Sequence, residues 1–194
     1  MAASRCGRWG RAAGFSLVEL LVALLLFSVA IAGLTQAQLA GKRAVIEAYR
    51  RDVALALGRD LLERIRANPA GAANYSATAD TSPAPPPTDC RVSDCGPIDL
   101  AAWDTWHWHA ALAGAAEIRR GTAAGGLPGA RACVAVNAGL VRVAVLWRGS
   151  RGAQRPLASP CPAEPAGLYD APGEAPGSAR LRRQLVLFAW VGSP

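Results

Sequence analysis

GFSLVELLVALLLFSVAIAGLTQAQLAG, residues 14–41, is the stretch on which the reading of this chain turns. Between Phe15 and Ala40 it holds 26 residues and a single charge, Glu19. As a helix rising 1.5 Å per residue that run is roughly 39 Å long, enough to cross a hydrocarbon core of about 30 Å. Met1–Gly14 before it is short and polar, with Arg5, Arg8 and Arg11 and no acid. A basic leader ahead of an apolar run is a targeting signal. A secretory signal could be cut after Ala30-Ile31-Ala32. Against that stand Glu19, which is costly inside an apolar run, and the continuation of the helical pattern far past Ala32. Retention of the helix is therefore the expectation.

Outward from the run, the pattern turns amphipathic. Ile46, Tyr49, Val53, Leu57, Leu61 and Ile65 recur every three or four residues, and charged residues fill the gaps. The stripe ends at Asn68-Pro69, where the residue before proline leaves helical space. One helix from about Ser16 to Ala67 follows. Its first half is apolar all round and its second half on one side only, so residues 15–41 form a membrane or assembly segment and residues 42–194 a head domain, with 42–67 its amphipathic helix.

Residues 69–97 read as a proline-rich loop containing Pro83, Pro85, Pro86 and Pro87. Within 98–194, Asp99 reads as the N-cap of a second helix running from Leu100 to about Leu112. Cys133–Asn137 and Leu140–Arg148 read as strands around the turn Asn137-Ala138-Gly139, and Arg180–Val191 as a last strand. Val141, Val143, Val145 and Trp147 share one face of the second strand, while Arg142, Ala144, Leu146 and Arg148 share the other. The expected fold is α+β, three antiparallel strands packed on a long N-terminal helix.

Five cysteines are present, and Cys6 lies in the leader. The remaining four, Cys90, Cys95, Cys133 and Cys161, allow three pairings. Cys90 and Cys95 are close enough in a turn-rich segment for a local loop, which favours Cys90–Cys95 with Cys133–Cys161. Zinc is disfavoured, because neither pair has a C-x-x-C spacing. Disulfides place the head in an oxidising compartment, outside the cytoplasm.

The formal charge of +7 raises nucleic acid as a partner. Three of those charges sit in the leader, which leaves 18 basic against 14 acidic side chains. Arg142 and Arg148 on one strand face, with Arg180, Arg182 and Arg183 opening the last strand, are ordinarily just solvated. Nucleic acid is not an expected partner. His107 and His109 lie two apart on a helix and point in different directions, so no metal site is expected. No phosphate loop, nucleophile elbow or paired acid arrangement is present, and no enzyme activity or cofactor is expected.

Gly14-Phe15-Ser16-Leu17-Val18-Glu19 after a basic leader closely resembles the processing site of type IV prepilins and type II secretion pseudopilins. The resemblance implies cleavage by a prepilin peptidase between Gly14 and Phe15, N-methylation of Phe15, and Glu19 as the fifth residue of the mature chain. There it neutralises the N-terminal amine of a neighbouring subunit. Arg64-Ile65-Arg66-Ala67-Asn68-Pro69 resembles the R-[MI]-R-x-N-P run of PilV-type minor pilins, the type IV pilus modification proteins. Asp104-x3-Trp108-x3-Leu112 and Leu127-Pro128-Gly129 followed by Cys133 match further, although Ala130 replaces the usual second glycine. The resemblance implies a pilin-like fold and a single-pass inner-membrane subunit with its head in the periplasm. Such a subunit enters the pilus at the cell surface to prime or modulate assembly, with major and other minor pilins as partners. A minor pseudopilin of type II secretion is the alternative, and a tip adhesin or DNA-binding module the alternative of another class.

Overall fold

A computed structural model describes residues 14, 16–79, 84–115, 117–123, 125–161 and 165–192. The chain divides into two compact units, Met1–Ala44 and Val45–Pro194. Helix α1, Leu17–Ala67, runs unbroken from one into the other. No proline interrupts it, and near its start the Leu20 amide donates to the Ser16 carbonyl at 3.1 Å. In the first unit every described residue is exposed.

The second unit is a four-stranded antiparallel sheet packed against the C-terminal half of α1. In chain order its strands are β1 (Ala77–Ala79), β4 (Arg131–Asn137), β5 (Leu140–Arg148) and β6 (Arg182–Trp190), and they lie in that order across the sheet. A two-stranded ladder of β2 (Ile118–Arg119) and β3 (Thr122–Ala123) stands apart. Helix α2, Pro97–Leu112, completes the unit. An antiparallel sheet with one face on a helix is the α+β arrangement that the alternation of apolar residues implies.

Leu61 and Ile65 of α1 are fully buried, together with Val141, Val143, Val145 and Trp147 of β5. Gly58 brings helix and sheet close: a Cβ built there would lie 2.7 Å from Leu187 Cδ1 of β6. The expected α1 stripe is shorter than its periodicity suggests. Ile46 and Tyr49 are exposed, because Arg50 Nη1 already reaches the carbonyl of Arg148, the last residue of β5, and the sheet stops there.

Four further departures from the expected pattern have local causes. The segment after Asn68 begins as a 3-10 turn, Pro69–Tyr75, with the Asn68 side chain accepting from the Gly71 amide at 3.2 Å. β1 follows, adding a fourth strand that pairs with β4 in the register Ala77↔Val134 to Ala79↔Ala132. Helix α2 starts two residues before Asp99, because Pro97 at its first position has the fixed φ a helix start wants; Gly96 is the cap and Asp99 lies in the first turn. The second sheet face is not open. Ala144 and Leu146 are buried in a second core with Cys133, Cys161 and Tyr169, under the chain that joins β5 to β6.

Both disulfides follow the favoured pairing, Cys90–Cys95 and Cys133–Cys161, with Cα separations of 5.5 and 5.7 Å. The β4–β5 turn places Ala138 and Gly139 at φ 46° and 83°. Two successive left-handed residues make the tight turn that matches strand twist, and a Cβ on Gly139 would meet the Val191 carbonyl at 2.8 Å.

Candidate processing site and assembly helix

Gly14 is exposed ahead of α1, and Phe15, the other half of the expected scissile pair, lies outside the described residues. Glu19 occupies the first turn of α1 and is exposed. A carboxylate there faces the positive end of the helix dipole, a favourable position for it. From Leu17 to Leu34 the large apolar side chains remain 48–74% exposed on all sides. Hydroxyls in this run turn back on the backbone: Ser28 Oγ donates to the Leu25 carbonyl at 2.7 Å and Thr35 Oγ1 to the Ile31 carbonyl at 2.8 Å. Such bonds satisfy polar groups that lipid cannot. The helix is long and apolar enough to cross a membrane, and Glu19 is the one charged residue in its apolar run from Phe15 to Ala40.

At the other end of α1 a buried polar network fastens the head. Arg64 donates to Asp60 at 2.9 Å and, through Nη1, to Asp104 Oδ1 on α2 at 2.9 Å. Tyr75 donates its hydroxyl to Asp104 Oδ2 at 2.7 Å, and Asn68 Nδ2 donates to the Pro97 carbonyl at 2.7 Å and to the Tyr75 oxygen at 3.3 Å. Burial, followed by the Asp104 carboxylate, pushes the Tyr75 phenol above its ordinary pKa, and the hydrogen bond to Asp60 raises the Arg64 guanidinium further. Trp108 Nε1 donates to the Leu57 carbonyl of α1 at 2.7 Å. These contacts lock α2 and the 3-10 turn onto α1. Asp104, Asn68 and Arg64 stood out in the sequence only as motif letters; Tyr75 did not stand out at all, although a tyrosine seven residues past a helix-ending Asn-Pro is the detectable signal.

Two regularly shaped matches accompany this geometry. Residues 9–35 match the prokaryotic N-terminal methylation motif. Residues 37–106 match the family described as type IV pilin Tt1218, a span that holds every member of the Arg64–Asn68–Tyr75–Asp104 network. Over those residues the chain is similar to the type IV pilins. No curated protein and no solved structure matches it. The methylation motif implies processing by a prepilin peptidase and pilin partners, and the leader with its apolar helix implies a membrane-anchored subunit.

The histidines do not come together. His107 packs half-buried against Trp103 and Trp106, with ring centroids 4.6 and 4.8 Å away. His109 is buried, and burial lowers its pKa to about 4. Among the described residues no three His, Cys, Asp or Glu side chains are placed to hold a metal. Several of the arginines read as solvated are fasteners instead. Arg148 donates to the Leu168 and Asp170 carbonyls at 2.7 and 3.2 Å, Arg180 to the Ala153 carbonyl at 2.8 Å, and Arg183 to the Arg151 carbonyl at 2.6 Å. Arg182 donates to the Leu157 carbonyl. The described residues between β5 and β6 form no strand or helix, so their carbonyls need donors from elsewhere, and arginine supplies them.

Proposed function

We propose that this protein is a minor pilin of the PilV kind, held in the inner membrane by α1 with its head in the periplasm, and incorporated into a type IV pilus to prime or modulate assembly. Cleavage falls between Gly14 and Phe15, Phe15 carries the methyl group, and Glu19 pairs with the N-terminal ammonium of a neighbouring subunit. Carboxylate and ammonium each lift the other's desolvation penalty in an apolar filament core. The role is structural, with no enzymatic step and no cofactor. The observation that carries the reading is the network around Asp104. The R-x-R-x-N-P run and the Asp104-x3-Trp108 pattern converge there, so residues shared with PilV-type minor pilins hold this head together.

The deciding experiment has two readouts. Intact mass of the mature chain should show loss of residues 1–14 and one added methyl; a chain starting at Gly33 would rule out prepilin processing. The tagged pilin should then copurify with pilus minor pilins and appear in sheared filaments. Copurification with secretion pseudopilins alone would replace the pilus reading with the type II secretion one.

A further inference from the structure

The end of the second unit at which the chain enters it, near Val45, concentrates positive charge and exposed apolar side chains in a way the fold does not require. Glu47 Oε1 accepts from the Ser150 amide and, at 2.6 Å, from its hydroxyl, and Arg50 reaches the Arg148 carbonyl. The start of the head helix and the residues just after β5 are thereby held together. Burial raises the Glu47 carboxyl, but the Ser150 bonds with Arg183 and Arg50 outweigh it and hold the group below its ordinary pKa. Glu174 is likewise occupied, by Arg180.

With Glu47 and Glu174 engaged and Asp52 exposed beside Arg51, the side chains of Arg51, Arg151 and Arg155 are exposed with no hydrogen-bond or ion-pair partner among the described residues. Arg183 and Arg182 hold the backbone at Arg151 and Leu157 and so fix the segment Arg155-Pro156-Leu157 as a projecting finger. A recess of about 210 Å³ lies beside it, lined by Arg155, Pro156, Leu157, Arg182 and Arg183. Leu157 at its tip is 68% exposed, and Tyr49, Ile46 and Val45 are exposed on α1 at the same end.

We infer that this collar is a docking surface for an anionic lipid bilayer, with Arg51, Arg151 and Arg155 meeting phosphate headgroups and Leu157 and Tyr49 entering the interfacial layer. Charge complementarity selects this occupant. Basic side chains next to a membrane-crossing helix are attracted to anionic lipid, and aromatic and leucine side chains settle at headgroup depth. A protein partner would need a complementary acidic, apolar patch; a bilayer supplies both properties at the place where α1 is already anchored. The inference rests on membrane anchoring and is independent of whether the pilin is minor or major. Its consequence is a brake: anionic lipid holds the head down, and extraction into a filament must release it.

The test uses the full chain with Cys6→Ser, carrying Leu157→Cys or, at the opposite end of the sheet, Asn137→Cys, each labelled with an environment-sensitive fluorophore. The chains are placed in nanodiscs of phosphatidylcholine alone or with phosphatidylglycerol, each with a spin-labelled headgroup, and insertion is measured separately by cofractionation with the discs. The label at 157 should be quenched with phosphatidylglycerol and not with phosphatidylcholine alone, the quenching should vanish in high salt, and the label at 137 should stay bright. Each arginine near an anionic surface is worth about a fivefold change in partition. Arg151→Glu with Arg155→Glu should therefore lower the docked-to-undocked ratio about 25-fold or more. Inserted chains whose 157 label is equally quenched in both lipids, or unquenched in both, overturn the inference. So does a blue shift at 157 without headgroup quenching, which would mean another copy of the chain covers the finger.

Discussion

Asp104 is the residue on which the head's docking depends. It is buried and accepts from two groups, Arg64 and Tyr75, on separate elements. Removing one member of a buried pair strands the other, which costs about 3–5 kcal/mol when both are buried. Arg64 keeps partial access to water and a second partner in Asp60, so Asp104→Ala should cost about 2–3 kcal/mol by the same reasoning. Tyr75→Phe, which removes one bond and leaves the ion pair, should cost about 1 kcal/mol. Urea unfolding of both variants checks the order; equal losses would mean the ion pair adds nothing. His109 adds a pH dependence of its own. Burial depresses its pKa to about 4 from 6.5, so the unfolded chain takes up a proton before the folded one does. Its contribution is complete above pH 6.5 and is lost as pH falls from 6.5 towards 4, by up to about 3 kcal/mol. His109→Phe should flatten that part of the stability profile relative to wild type. An unchanged difference between pH 7 and pH 4.5 would show that the folded imidazole titrates normally.

Among the elements, the segment between β5 and β6 shows most plainly what patterning conveys. Strands β5 and β6 were legible because alternation survives without knowledge of partners, and α1 because 51 residues of helix contain no proline. The cover over the second sheet face was not legible. Its residues have no period, and it is held by arginine-to-carbonyl bonds and by Cys133–Cys161, contacts far apart in the chain. β1 escaped for a similar reason: three residues acquire strand geometry only from the neighbouring β4. The roles proposed for Gly14 and Glu19, by contrast, come from resemblance to prepilin leaders, a likeness carried by local spacing. The Cys133–Cys161 bridge closes a separation of 28 residues, which by chain entropy is worth about 3–4 kcal/mol. Replacing both cysteines with alanine should lower stability by about that amount and expose the Ala144–Leu146 face. Proteolysis concentrated between residues 149 and 181 checks it; unaltered resistance would show that the arginine fasteners hold the cover unaided.

At the scale of the molecule, the two units divide the work by solvent. Among its described residues the first has no internal core and exposes every side chain, so that apolar surface is completed only by lipid or by other subunits. The second buries its own core and needs neither. A subunit passing from membrane to filament, as proposed for this chain, need not refold such a head, provided that the one charged group in the apolar segment is compensated in both places. In the membrane Glu19 sits in the first helical turn, within reach of the headgroup region. In a filament it needs a counter-charge, and under the proposed processing the amine released before Phe15 supplies one. Loss of the carboxylate leaves a neighbour's ammonium unpaired in an apolar setting, a cost of about 3–5 kcal/mol, or a hundredfold or more in incorporation. Glu19→Ala should therefore be inserted and should fractionate with membranes as the wild type does, yet be depleted from sheared pili by about that factor. Immunoblots of membrane and pilus fractions from the same cells measure both halves, and wild-type levels of the variant in pili would remove Glu19 from any part in assembly.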